Sequence, residues 1–137
     1  METTFLQSTA ILLVRVILGI LFLFQGYDKI FRIGISKVAD AASTPVTEKF
    51  FGRNFFRTSI LISSWVELLA GIMLVMGFHR NEALILLGAD MLVTGVIFTL
   101  IKPMWDMQYY FPRLILLVFL MIAPESWDTF RIDSLIR

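Results

Sequence analysis

Apolar residues run almost unbroken through four stretches of this sequence, and polar residues collect between them. The runs cover about 9–31, 59–78, 82–101 and 109–123. Crossing a bilayer core takes roughly 20 apolar residues in a helix, and the first three runs meet that length. Gly77-Phe78-His79-Arg80-Asn81 separates the second run from the third, which leaves room only for a tight helical hairpin. In the fourth run Pro112 and Pro124 leave 11 uninterrupted residues (113–123). That is about 16 Å of helix, so a kink or a late start is expected there. Proline is tolerated in membrane helices when neighbours satisfy the freed backbone groups. The first run competes with a cleaved signal peptide, which needs a basic start and small residues at a cleavage site. Residues 1–9 carry only Glu2 as a charged side chain and the run ends in Gln25-Gly26-Tyr27-Asp28-Lys29, so a retained helix is expected. Strand alternation is absent. The pattern predicts an all-α fold, one membrane domain over 1–137: an integral membrane four-helix bundle with an amphipathic segment between helices 1 and 2.

That segment, 32–58, is too polar to cross. Ser43-Thr44-Pro45 has the form of a helix start, a hydroxyl cap followed by proline at the first helical position. Beyond it Lys49, Arg53 and Arg57 stand four apart, with Phe51 and Phe55 on roughly the opposite side at 100° per residue. Basic and aromatic residues interleaved in this way suit a helix lying in the lipid headgroups. A structured loop packed over the mouth of the bundle is the other reading.

Composition agrees with membrane residence and narrows the chemistry. The chain is 58% hydrophobic and 17% charged, against about 45–50% and 25% in soluble domains. Its first partner is therefore the lipid bilayer. Net charge is +1, which gives no case for nucleic acid. There is no cysteine, which removes disulfides, thiolate nucleophiles and iron–sulfur clusters together. The single histidine, His79, cannot build a multi-histidine metal site and reads as a surface turn residue. No nucleophile–base–acid arrangement, phosphate loop or metal-ligand spacing is visible, so no catalytic or metal residue is assigned and no cofactor is evident from the residues. Trp65, Trp105 and Trp127, with Tyr109 and Tyr110, fall near helix ends and suit interfacial belts.

Four charges sit inside the apolar runs: Arg15, Glu67, Asp90 and Arg113, one per helix. Each costs about 2.5–3.5 kcal/mol at a helix centre when unpaired. Two of each sign suggest one paired network inside the bundle, with all four facing one another. On the first helix Arg15, Gly19, Phe22, Gly26 and Lys29 fall near one line, and Gln25 stands beside Lys29 at its end. On the second, Ser63, Glu67 and Gly71 share a face. Small residues beside a charge let a partner helix approach closely. On the third, Asp90 and Thr94 share one face while Gly88, Gly95 and Thr99 line the opposite one. Such a helix is expected to contact its own bundle on one side and another membrane subunit or a second copy on the other. The charge set itself has two readings. One is a buried network that fixes helix register; the other is a proton path, a quinone-headgroup site or a substrate cavity.

Arg15 to Phe22, followed by Gln25-Gly26-Tyr27-Asp28-Lys29, resembles the opening helix of the DoxX-like membrane proteins. Glu67-Leu68-Leu69-Ala70-Gly71 through Gly77-Phe78-His79-Arg80 is similar to that family's Glu-x-x-x-Gly helix and Gly-x-x-x-Arg turn. Tyr110-Phe111-Pro112 to Trp127-Asp128 matches its last helix and short end segment in layout. The resemblance implies a small multi-pass protein of the bacterial inner membrane in a redox neighbourhood. It points to an accessory or assembly subunit of a larger complex. The alternative is the quinone-binding small subunit of a thiosulfate:quinone type oxidoreductase, with Arg15, Glu67 and Asp90 around the headgroup. A small transporter is weaker, because no duplicated half is evident. The long basic connection departs from the family pattern. For orientation, Arg80, Arg131 and Arg137 fall on one side, and Lys29, Arg32, Lys37, Lys49, Arg53, Arg57 and Lys102 on the other. The positive-inside rule then places both termini outside and the connection in the cytoplasm.

Overall fold

A computed structural model of the chain describes residues 2–101 and 108–136. Lys102, Trp105 and Arg137, counted above among loop and interfacial residues, lie outside the described residues. Helix α1 spans Glu2–Tyr27 and runs on through a wider π-helical turn, Asp28–Ile33. Two short helices follow, α2 (Ile35–Ala42) and α3 (Pro45–Phe51). Then come α4 (Arg53–Met76), α5 (Arg80–Ile101) and α6 (Tyr110–Ile122). The chain closes with a 3₁₀ turn, Glu125–Trp127, and the single-turn helix α7, Asp133–Ile136. Three stretches are long and apolar enough to cross a membrane: Thr4–Ile33, Arg53–Met76 and Arg80–Leu100. Helix α6 has 13 residues, about 20 Å of rise. It makes the late start: Pro112 falls in its first turn, where a missing N–H leaves no hydrogen bond unmade. No strand occurs among the described residues, and the fold is an all-α membrane bundle.

The 32–58 connection departs from expectation. Thr44 does cap a helix: its Oγ1 accepts from the Thr47 N–H at 3.2 Å, and Thr47 Oγ1 accepts from the Thr44 N–H at 2.8 Å. Pro45 takes the first helical position. That helix ends after two turns, because Gly52 adopts φ +71°, a conformation that favours glycine. Lys49 therefore stays on α3 while Arg53 and Arg57 belong to α4, so the single basic stripe expected across 49–57 is divided between two helices. Gly34, at φ +91°, makes the corresponding turn from the π-helical segment into α2, a helix the sequence pattern did not suggest.

Helices α1 and α4 are the closest pair, and glycines set the distance. A Cβ on Gly26 would lie 2.6 Å from the Leu68 N and Ser64 O, and one on Gly71 would lie 2.6 Å from Leu23 N. Below 3.0 Å a real Cβ essentially never sits, so backbone meets backbone here as small-residue membrane interfaces allow. Ile11, Leu18 and Phe22 of α1 bury against Leu74 of α4, Leu87 and Met91 of α5, and Leu117 and Leu120 of α6.

Helix α5 lies between α4 and α6, and two of the three small residues singled out on it serve helix packing within the chain. A Cβ on Gly88 would meet Met121 Cε at 3.2 Å, and one on Gly95 would meet the Tyr110 hydroxyl at 2.7 Å. Both glycines face α6 of the same chain. A helix flanked on two sides by its own bundle can present two well-separated faces to the interior. Thr99 alone of the three is exposed, its hydroxyl donating to the Gly95 carbonyl at 2.8 Å.

Candidate functional site

The charges inside the bundle form two groups at different heights. At the hairpin end, Arg15 and Arg80 converge on Asp128, and all three are buried. Arg15 Nε stands 3.4 Å from Asp128 Oδ1, an ion contact without hydrogen-bond geometry, and Arg80 Nη1 stands 3.4 Å from Oδ2. The rest of each guanidinium is taken up by helix ends. Arg15 donates to the Leu74 and Val75 carbonyls at 2.6 and 3.2 Å, and to the Phe130 carbonyl at 2.6 Å. Arg80 donates to the carbonyls of Leu120 and Ala123. Carbonyls in the last turn of a helix lack an intrahelical partner and carry the negative end of its dipole. The C-terminal ends of α4 and α6 and the tail carbonyl of Phe130 supply acceptors that one aspartate cannot, while both Nε groups stay without a hydrogen bond among the described residues.

Around that core the tail folds back over the turn. The Ile132 N–H donates to the Met76 carbonyl at 3.3 Å, and the Asp133 carboxylate accepts from the His79 N–H at 2.9 Å. Asn81 donates to Glu125, and Arg131 does so at 3.3 Å. These contacts hold the Glu125 carboxyl below its ordinary range. His79 is exposed, as a turn residue should be.

The second group lies deeper, and α4 carries its centre. Glu67 is 1% exposed. Lys29 donates to both its oxygens at 2.9 and 2.8 Å, and Gln25 Nε2 donates to Oε1 at 2.7 Å. The π-helical turn widens α1 from Asp28 onward, at the point where Lys29 joins Gln25 on the carboxylate. Such turns often mark functional positions. Glu67 and Gln25 also form part of the wall of a cavity of about 350 Å³, together with Asp90 and Thr94 of α5 and Arg113 of α6. Phe22, Met91, Phe98, Tyr109 and Tyr110 complete it. The Arg113 guanidinium stands 5.9 Å from the Phe22 ring centre, within cation–π range. Tyr110 is held by donation to the Met91 carbonyl at 2.6 Å, which keeps its ring in the wall rather than in a lipid interface.

The amide of Gln25 is fixed by its neighbour. A carboxylate only accepts, so the NH₂ faces Glu67 and Oε1 turns away. That oxygen is buried and has no hydrogen-bond partner among the described residues. A buried acceptor without a partner is rare in a native structure and calls for an explanation.

A family model named DoxX matches residues 10–100. This chain belongs to the DoxX family. The matched stretch carries Arg15, Gln25, Lys29, Glu67 and Asp90, whereas Arg113 and Asp128 of this DoxX member fall beyond it. Comparison with curated proteins and with solved structures gives no match.

The expected network of four is thus corrected. Glu67, Asp90, Arg113 and Gln25 line one cavity and Lys29 is paired with Glu67, while Arg15 belongs to the separate cluster at the hairpin end. Two members of the hairpin group went unrecognised as buried: Asp128, read only as part of a tail, and Arg80, read as a turn charge. The signal for Asp128 is weak. A lone aspartate past Pro124 looks like any exposed end until the tail is folded back. Lys49, Arg53, Phe55 and Arg57 are exposed at the far end of the bundle, and Phe51 stacks on Phe55 with ring centres 6.2 Å apart.

Proposed function

We propose that this DoxX member is a small membrane subunit whose cavity receives a quinone-type headgroup, working within a larger redox complex. The observation that carries the reading is a cavity with an aromatic wall into which α4, α5 and α6 bring the charged groups Glu67, Asp90 and Arg113. Ligand sites are mostly apolar concavities of about 300–1,000 Å³ with a few convergent polar groups, and this one fits. A quinone, when bound, would supply two-electron, two-proton chemistry. Arg113 is the donor available to a carbonyl oxygen, and Asp90 is an acceptor for a hydroxyl proton. Glu67 acts as a positioning residue: held by Lys29, it fixes the Gln25 side chain in the cavity wall. Phe22 and Tyr110 supply the flat apolar walls. With no cysteine and one surface histidine, the chain offers no ligand set for an electron-carrying metal centre, so electrons would pass to or from a partner subunit.

A role purely in assembly is the other reading carried from the sequence. It rests on the small size, the lack of a catalytic constellation and the small-residue face of the third long helix, and Gly88 and Gly95 of that face meet α6. The test is extraction of quinone from chain purified in mild detergent. Near-stoichiometric quinone in the wild type, lost in Asp90→Asn and Arg113→Leu and kept in the hairpin-end variant Arg131→Gln, supports the proposal. Quinone at the level of bulk lipid carry-over, or retained equally by all variants, overturns it. A defined large partner copurifying without quinone would favour assembly.

A further inference from the structure

At the end of the bundle opposite the hairpin, α2 and α3 form a platform beside the first turns of α4. Helix α5 ends and α6 begins on that side, and there the wall of the cavity changes character. Asp90, Thr94 and Phe98 stand four apart on α5 and all line the cavity. At that spacing they share one helix face, which passes from charge to hydroxyl to aromatic ring over about 12 Å. The facing helix repeats the order. Tyr109 stands at the start of α6, and Arg113 lies one turn further in. Two antiparallel helices thus set charge at one depth and aromatic rings at another.

Burial follows the same gradient. Glu67, Phe22 and Met91 are 1%, 2% and 3% exposed, whereas Phe98 is 44% and Tyr109 73% exposed. The aromatic end is therefore the mouth and the charged end the floor. One side of the passage is held rigid. A Cβ on Gly95 would lie 2.7 Å from the Tyr110 hydroxyl, and that hydroxyl donates to the Met91 carbonyl at 2.6 Å.

This order of side chains selects the occupant. A solute arriving from water would shed its hydration at an apolar mouth before any charged partner came within reach, and burying unpaired polar groups is costly. A ligand already dissolved in hydrocarbon meets no such cost. Size points the same way: at about 350 Å³ the cavity is near the small end of ligand sites, about 300–1,000 Å³. A ring headgroup fits inside, and a long chain attached to it must remain outside.

We infer that the occupant is an amphiphile that enters headgroup first from the bilayer and leaves its hydrocarbon tail at the mouth, between Phe98 and Tyr109. The inference rests on the quinone reading and names the class within it: a quinone with a hydrocarbon chain on its ring, whose chain passes Thr94. Phe98 and Tyr109 form the tail subsite. The tail adds little affinity there, because lipid hydrocarbon is as apolar as the mouth. Its effect is on orientation, so the deciding measurement is of position rather than of binding strength.

Two photoreactive quinones are incorporated in turn with the full chain in lipid nanodiscs. One carries an azide on the ring, the other a diazirine on the tail close to the ring, and the labelled residues are located by fragmentation mass spectrometry. Leu92 and Val93, exposed on α5 outside the cavity wall, report the labelling due to probe free in the lipid. Specific labelling is the part lost to unlabelled quinone, and roughly a ten-fold excess should remove about nine-tenths of it by mass action. The ring probe is expected to label Asp90, Thr94 or Arg113 in this competed fraction, and the tail probe Phe98 and Tyr109. A competed ring label at the floor, with tail label only of the uncompeted kind, overturns the inference and leaves the quinone reading standing. Ring label at the mouth and tail label at the floor reverses the orientation and also overturns it. If neither probe gives a competed label, the quinone reading fails and takes the inference with it.

Discussion

A guanidinium inside a bilayer needs oxygens for its donors, and the hydrogen bonds that Arg15 makes go to backbone rather than to charge. Three of its contacts are carbonyls, from Leu74, Val75 and Phe130, and Asp128 is shared with Arg80. Among the described residues the aspartate is therefore the sole negative charge that the two arginines touch. Removing it leaves two buried cations facing each other. Breaking a buried pair by removing one partner costs about 3–5 kcal/mol, and Asp128→Asn is expected to fall in that range by denaturant unfolding in micelles. Arg15→Met should cost less, because Asp128 keeps Arg80 and helix-end carbonyls can recruit water near the turn. Equal stability of Asp128→Asn and wild type would contradict this account of the cluster. Neither substitution touches the cavity, so quinone retention per folded molecule is expected to be unchanged.

The elements hold together by two kinds of glycine, and substitution separates them. Gly26→Ala puts a methyl 2.6 Å from the backbone of α4, so the two helices must part along the seam that aligns Gln25, Lys29 and Glu67. Overpacking of this kind typically costs about 1–3 kcal/mol, and quinone should be lost along with stability. Gly52→Ala meets open space and only its backbone conformation, φ +71° and ψ 149°, opposes it, a strain of about 1–3 kcal/mol. It is expected to shift α3 against α4 and lower stability while leaving quinone in place. The pair is read by denaturant unfolding and quinone extraction on the same preparations. The tail gives a prediction in pH. Glu125 has its carboxyl lowered by the Asn81 hydrogen bond and by Arg131. A depressed acid stabilises fully above its ordinary 4.5 and loses that contribution as pH falls through the folded value. Trp127, packed on the core beside this carboxylate, should therefore show closely matching emission in wild type and Glu125→Gln at low pH. A difference between them is expected above 4.5.

For the molecule as a whole, the hydrophobic pattern was enough to place the spans and read the bundle, because apolar length and period are local properties. Thr44 and Pro45 announced α3 for the same reason. What periodicity could not supply was height. It gives the direction of Arg15 and Glu67 around their helices, but which residues stand level depends on how α1 and α4 slide past each other. Gly19 packs against Gly71 and Val75, and Gly26 against Ser64 and Leu68. Seven steps forward on α1 are thus seven steps back on α4. That register sets Arg15 beside Gly77 at the hairpin and Lys29 beside Glu67, and no single-helix signal contains it.

The same burial alters the basis for orientation. The positive-inside rule counts lysines and arginines free in loops near the spans, and acidic residues contribute little. Arg80 leaves the count at the hairpin end because it is buried on Asp128 and on helix carbonyls. Lys29 leaves it at the other end because it is paired with Glu67. Arg131 then remains at the hairpin end among the described residues, against Arg32, Lys37, Lys49, Arg53 and Arg57 on the platform. The contrast is sharper than the raw sequence tally, and the positive-inside rule applied to it predicts the platform in the cytoplasm and the hairpin end outside. This orientation also puts Arg53 and Arg57 against the leaflet whose negative surface potential favours them. Alkaline phosphatase fused after the last residue should be active in a bacterial host, and a green fluorescent protein in the same place should be dark. The reverse pattern would invert the protein in the bilayer and remove the electrostatic reason for the platform's basic face.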